Sequence, residues 1–138
     1  MPVTPYLNFD GRCEEALHFY QQAVGAEIID LMKFSDSPEP CPEGVLPPGT
    51  EHKVMHASFR IGGTVLMASD CNCTGKPGFQ GFSLTVTVAT AAEVDRLLAA
   101  LADGGKVDMP AAQTFFSPRF GTVTDRFGIS WMVLVYGH

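Results

Sequence analysis

A chain of 138 residues, 46% apolar and 17% charged, has the size and texture of one soluble globular domain. At this length about 68–70% of the unfolded surface can be buried, so a core needs no disulfide or metal staple. The net charge of −6, with nine Lys and Arg scattered along the chain, argues against a nucleic-acid partner. No apolar run reaches the length of a membrane span.

In chain order, MPVTPYLNFDGR carries no basic or long apolar segment, so no secretory signal is expected and the location expected is cytoplasmic. Thr4–Phe9 reads as a strand and Asp10-Gly11 as a turn. A helix is expected over Cys13–Val24. Ala16, Leu17, Tyr20, Ala23 and Val24 form its apolar face, Glu14 and Glu15 suit its first turn, and Gly25 ends it. Ala26–Phe34 reads as a strand. Ser35–Glu51 holds five prolines and two glycines, the texture of a long loop. His52–Ile61 and Thr64–Ala68 read as a hairpin about Gly62-Gly63.

After a second loop, Ser69–Gly81, the order begins again. Phe82–Thr90 reads as a strand. Ala91–Gly105 reads as a helix with the stripe Val94, Leu97, Leu98 and Leu101, closed by Gly104-Gly105. Lys106–Met109 reads as a strand. Phe120–Asp125 and Ile129–Tyr136 read as a hairpin turning at Asp125-Arg126-Phe127-Gly128, where Gly128 supplies an unusual backbone angle. The fold class expected is α+β: one domain over 1–138 made of two βαβββ modules, about 1–70 and 82–138. Their curved, mixed sheets form a cup that encloses a cavity.

The four cysteines, Cys13, Cys41, Cys71 and Cys73, are expected to be reduced. Cys71-Asn72-Cys73 lacks a second pair of ligands for zinc, which favours two loop thiols.

The stretch KVMHASFR, Lys53–Arg60, alternates with period two. Met55, Ala57 and Phe59 are expected on one face, and Val54, His56, Ser58 and Arg60 on the other. By the same alternation Tyr6 and Asn8 share a face if Leu7 and Phe9 enter the core. Ser83, Thr85 and Thr87 oppose Leu84, Val86 and Val88; Ser130 and Met132 oppose Ile129, Trp131 and Val133.

Three stretches, GRCEEALHFYQQAVGAE, KVMHASFRIGGTVLMASD and FGTVTDRFGISWMV, together resemble the vicinal-oxygen-chelate superfamily. That group includes glyoxalases, extradiol dioxygenases and bleomycin- and fosfomycin-resistance proteins. More narrowly the chain is similar to its PhnB-like branch, sometimes labelled 3-demethylubiquinone methyltransferase. The resemblance covers essentially the whole chain and implies a cup-shaped fold, a small organic ligand and a homodimer. Metal-using members hold a divalent ion on His/Glu-type ligands from four strands. The resemblance places those positions at Thr4 (or Pro5), His56, Ser83 (or Phe82) and Met132. Thr, Ser and Met are poor donors for such ions, so no metal and no cofactor are expected.

Candidate ligand-binding residues are Tyr6, Asn8, His56, Ser58, Arg60, Ser83, Thr85, Phe116 and Met132. His56 is also the candidate catalytic group, as a general base; the residues equally allow a histidine satisfied by Ser58 or Arg60. Arg60 suits an anionic ligand group or a solvated rim. Phe115, Phe116, Phe120 and Met132 suit stacking on a ligand or plain packing. No Gly-rich strand-to-helix loop is evident, which argues against methyl transfer from S-adenosylmethionine. The leading expectation is a metal-free small-molecule-binding protein. The alternative is a glyoxalase- or dioxygenase-like enzyme with an atypical site.

Overall fold

The computed structural model describes residues 1–37, 49–70 and 76–137. The chain divides into two compact units, Met1–Pro77 and Gly78–His138.

Unit 1 runs β1 (Tyr6–Asn8), α1 (Cys13–Val24), β2 (Glu27–Lys33), β3 (Val54–Ile61) and β4 (Thr64–Ser69). Its sheet has the order β1-β4-β3-β2, with β1 parallel to β4 and the other pairs antiparallel. α1 buries Cys13, Ala16, Leu17, Tyr20 and Ala23, the expected face except for Val24. It stops at Gly25, whose φ of 69° lets its N–H reach the Tyr20 carbonyl. Tyr20 stacks on Phe59 with centroids 6.4 Å apart and meets Phe9 at 6.1 Å. Leu7, Phe9, Val54, Ala57, Phe59, Leu66 and Ala68 complete this core. Each large side chain here contributes about 1.5–3 kcal/mol by leaving water.

The expected faces of β3 need one correction. Val54 is fully buried, whereas Met55 is only half-buried. Met32 pairs with His56 and the next residue, Lys33, pairs with Val54, so Met55 is an extra residue in β3. Such a bulge reverses the alternation beyond it, which strict period-two reading cannot anticipate. From Ala57 to Phe59 the expected faces hold.

Unit 2 repeats the order: β5 (Ser83–Val88), α2 (Ala91–Ala102), β6 (Lys106–Ala112), β7 (Phe120–Thr124) and β8 (Ser130–Val135). Its sheet is β5-β8-β7-β6, with β5 parallel to β8. Val94, Leu97, Leu98 and Leu101 of α2 are buried, as are Phe120, Val123, Ile129, Trp131 and Val133 of the strand layer. Two glycines stand where the chain packs too closely for a side chain, one against α2 and one against β7. A Cβ at Gly121 would overlap Leu98 Cδ1, and one at Gly105 would overlap the Thr124 carbonyl oxygen.

Two buried carboxylates hold backbone in place. Asp70 accepts from the N–H groups of Gly11 (2.9 Å), Cys13 (2.7 Å) and Val54 (2.7 Å). Asp125 accepts from the N–H groups of Phe127 (2.9 Å) and Ile129 (3.0 Å) and from Trp131 Nε1 (2.8 Å). The Asp125–Gly128 turn forms as expected, with Gly128 at φ 96°. No helix is long and apolar enough to cross a membrane among the described residues.

Candidate functional site

In unit 1 the sheet face opposite the core carries Tyr6, Asn8, His56 and Ser58. Register places Tyr6, Met67, Ser58 and Asp30 in one row across the four strands. The rings of Tyr6 and His56 lie 6.0 Å apart at 39°, so these two expected residues meet. Asn8 has a local role: its Oδ1 accepts from the Asp10 N–H at 3.0 Å, in a turn that holds Asp10 at φ 52°. Arg60 pairs with Glu27 at 3.4 Å, both side chains being exposed. Such a pair contributes little to stability.

A smaller cavity of about 180 Å³ lies at the start of α1, lined by Gly11, Glu14, Glu15, His52, Lys53 and Asp70. Its polar groups serve the fold. Lys53 Nζ donates to the Gly11 carbonyl at 2.8 Å, and Glu14 pairs with Lys33 at 3.7 Å. Cys13 beside it is buried. Burial pushes its thiol far above the usual range, with the charges of Asp70 and Glu14 adding to the effect. It is a core residue, not a nucleophile.

Unit 2 carries the larger feature, an open depression of about 760 Å³ on the sheet face away from α2. Its floor is one register row: Ser83 of β5 pairs with Ser130 of β8, Ser130 with Thr124 of β7, and Thr124 with Lys106 of β6. The Ser83 and Ser130 hydroxyls are 2.8 Å apart. Thr124 Oγ1 donates to Asp108 Oδ2 at 2.6 Å, and Lys106 Nζ lies 3.7 Å from Asp108 Oδ1. Phe79 and Phe82 meet edge to face at 6.2 Å and form a wall with Gln80. Met132 also lines the depression.

Of the expected residues, Ser83 and Met132 come together here. Thr85 neighbours Met132 in register but does not line the depression. Phe116 does not line it either; its ring packs 5.1 Å from both Phe115 and Phe120. Sequence reasoning missed Phe79, Gln80, Lys106, Asp108 and Thr124. Alternation in β7 could have pointed to Thr124. Alternation of Lys106, Val107 and Asp108 could have pointed to Asp108 as well, since the register first breaks between the Val107–Val123 and Met109–Thr122 pairs.

The positions that the resemblance implies for metal ligands are Thr4 (or Pro5) and His56 in unit 1 and Ser83 (or Phe82) and Met132 in unit 2. One imidazole, two hydroxyls and a thioether do not make the imidazole and carboxylate set that a catalytic divalent ion needs. Among the described residues, no group of three or more His, Cys, Asp or Glu is arranged to hold a metal. Cys41, Cys71, Cys73 and most of the Ser35–Glu51 loop, residues 38–48, lie outside the described residues, as does His138.

Comparison with known proteins gives a consistent family. The profile of the family described as 3-demethylubiquinone-9 3-methyltransferase matches residues 1–134. Protein YjdN of Escherichia coli K12 is 39% identical over 142 residues, covering 98% of this chain and 95% of that one. The structure of protein PA1353 from Pseudomonas aeruginosa superposes with a TM-score of 0.83 at 40% identity, covering 99% of this chain and 98% of that one. A Bacillus cereus structure titled as a putative 3-demethylubiquinone-9 3-methyltransferase, PhnB protein, gives 0.79 at 31% identity over 98% and 99%. At 14% identity and a TM-score of 0.64, a glyoxylase/bleomycin resistance protein/dioxygenase domain from Frankia shares the fold alone. These likenesses make the chain a member of the PhnB-like family described as 3-demethylubiquinone-9 3-methyltransferase, and the Frankia domain adds a shared fold.

Proposed function

We propose that the protein binds a small organic molecule on the open sheet face of unit 2, without a metal ion of the superfamily type. The observation that carries this reading is the depression of about 760 Å³ with its hydroxyl floor and aromatic wall. That volume lies within the range of small-molecule sites, about 300–1,000 Å³. The donor set at the four family positions supports the metal-free half of the reading. The methyltransferase description of the family gets no support from the described elements. α1 follows Asp10-Gly11-Arg12, α2 follows Ala89-Thr90, and Gly104-Gly105 comes after a helix instead of opening one. A typical S-adenosylmethionine site has a Gly-rich loop between a strand and a helix, and a single glycine, Gly11, precedes α1 and none directly precedes α2. We also propose a cytoplasmic homodimer; exposed Tyr6, Ile29 and Met32 on unit 1 favour cover by a second copy.

One competing reading keeps a specific observation in its favour. His56 stands half-buried against Tyr6 on the open face of unit 1, where an imidazole could act as a base or as the first ligand of an atypical metal site. The test is metal content of untagged protein, then titration with Zn²⁺, Ni²⁺, Mn²⁺ and Fe²⁺, for the wild type and His56→Ala. The expected result is no stoichiometric metal in either protein. Stoichiometric metal that disappears in His56→Ala overturns the metal-free reading and makes the protein a metalloenzyme candidate.

A further inference from the structure

Resting on the binding reading above, we infer that the depression in unit 2 takes an elongated organic anion, with its aromatic or conjugated body at one end and its acidic oxygen group at the other. The floor row fixes the length. From Ser83 to Lys106 the row crosses four strands, three interstrand spacings, or roughly 14 Å. The two ends differ in chemistry. At the β5 end, Phe79 and Phe82 present an edge-to-face aromatic wall, and Met132 adds a polarisable thioether. At the β6 end stands Lys106, its side chain 76% exposed.

Hydrogen-bonding capacity gives the sign of the ligand's charge. Asp108 is the lining carboxylate, and both its oxygens are engaged, one by Thr124 Oγ1 and one by Lys106 Nζ. Lys106 has three N–H donors, and its Nζ stands in ion-pair range of Asp108 at 3.7 Å without a hydrogen bond between them. The Ser83–Ser130 pair shares one proton and keeps a second to donate. Gln80 adds an amide. The capacity left over is mostly that of donors, which suits a carboxylate, sulfonate or similar oxyanion. Asp108 accepts from Thr124 of the neighbouring strand and keeps the lysine in ion-pair range beside the floor.

The experiment uses the dye 6-(p-toluidino)naphthalene-2-sulfonate, whose tolyl ring and sulfonate lie at opposite ends, and its uncharged counterpart N-(p-tolyl)-2-naphthylamine. Binding is read by fluorescence titration, and the site by amide NMR shifts. The expected result is sulfonate-dye binding that shifts Ser83, Thr124 and Ser130. Lys106→Gln should weaken the sulfonate dye about fivefold and leave the neutral dye unchanged. Lys106→Arg should restore it, and Phe82→Ala should weaken both dyes. If Lys106→Gln weakens both dyes equally or neither, the anion inference falls while the binding reading stands. Fluorescence without shifts in the floor row also overturns the inference. If neither dye binds the wild type, both readings fall.

Discussion

The two units share element order and sheet topology but start their helices by different means. α1 in unit 1 has Arg12 at its N-cap with no side-chain cap. The service comes from Asp70, at the far end of β4, 57 residues from Cys13. The same carboxylate also accepts from Val54, so one buried group ties together the start of α1, the start of β3 and the end of β4. α2 in unit 2 is capped locally: Thr90 Oγ1 accepts from the Glu93 N–H at 3.2 Å and donates to the Glu93 carboxylate at 3.2 Å. Unit 2 does have a buried carboxylate, Asp125, but all three of its described partners lie within six residues of it. The buried carboxylate of unit 1 thus joins distant parts of the chain, whereas the described side-chain bonds of Asp125 in unit 2 are local.

That contrast can be tested by removing its parts. The largest effect is expected from Asp70→Ala, which strands three N–H groups and should lower stability by about 3–5 kcal/mol. Urea denaturation followed by far-UV circular dichroism reads this. Trp131 is the single tryptophan and lies in unit 2, so its fluorescence follows that unit alone and shows whether the damage stays in unit 1. Gly105→Ala acts in unit 2, forcing a methyl against the Thr124 carbonyl. It should cost about 1–3 kcal/mol, read by an earlier Trp131 transition. Thr90→Ala removes the local cap and should cost about 1 kcal/mol, with the same readout.

A further difference is alkaline sensitivity. All four cysteines precede residue 78, and the Cys13 thiol is pushed far up in the folded protein. The unfolded chain therefore releases that proton first, at about pH 8.5. The contribution of the neutral thiol is complete below that pH and declines as pH rises above it. Urea midpoints between pH 7.5 and 9.5 should fall for the wild type and fall less for Cys13→Ala. The smallest effect is expected at Glu27→Gln. The exposed pair with Arg60 should be removable with no measurable change in the urea midpoint, and a clear loss would mean that the pair matters to unit 1.

The same distinction between near and far explains what was legible in the sequence. α1 was readable to the residue, because its apolar spacing, acidic first turn and terminal glycine all lie within it. The turn at Asp125–Gly128 was readable for the same reason. The Thr90-x-x-Glu93 cap carries a local signature that could have been found. Asp70 could not, since nothing around it in sequence names Gly11, Cys13 or Val54 as its partners. In the candidate site, Ser83 and Met132 followed from alternation. Lys106 and Asp108 alternate with Val107 and Met109 in KVDMPAA and were open to the same reading, although the bulge breaks the period from Met109 on. The extra residue at Met55 did the same to the expected faces of β3.

The parallel pairing of the first and last strands in each unit also bears on how the chain folds. Tyr6 finds its partner at Met67, and Ser83 at Ser130. Hairpins such as β3–β4 and β7–β8 can form early, since only short stretches separate their strands. β1 and β5 must wait until the rest of their unit has been made and folded back. During synthesis β1 and β5 therefore stay unpaired until β4 and β8 have been made. Slow translation or a mutation that delays β4 or β8 would prolong the interval in which those strands are open to aggregation.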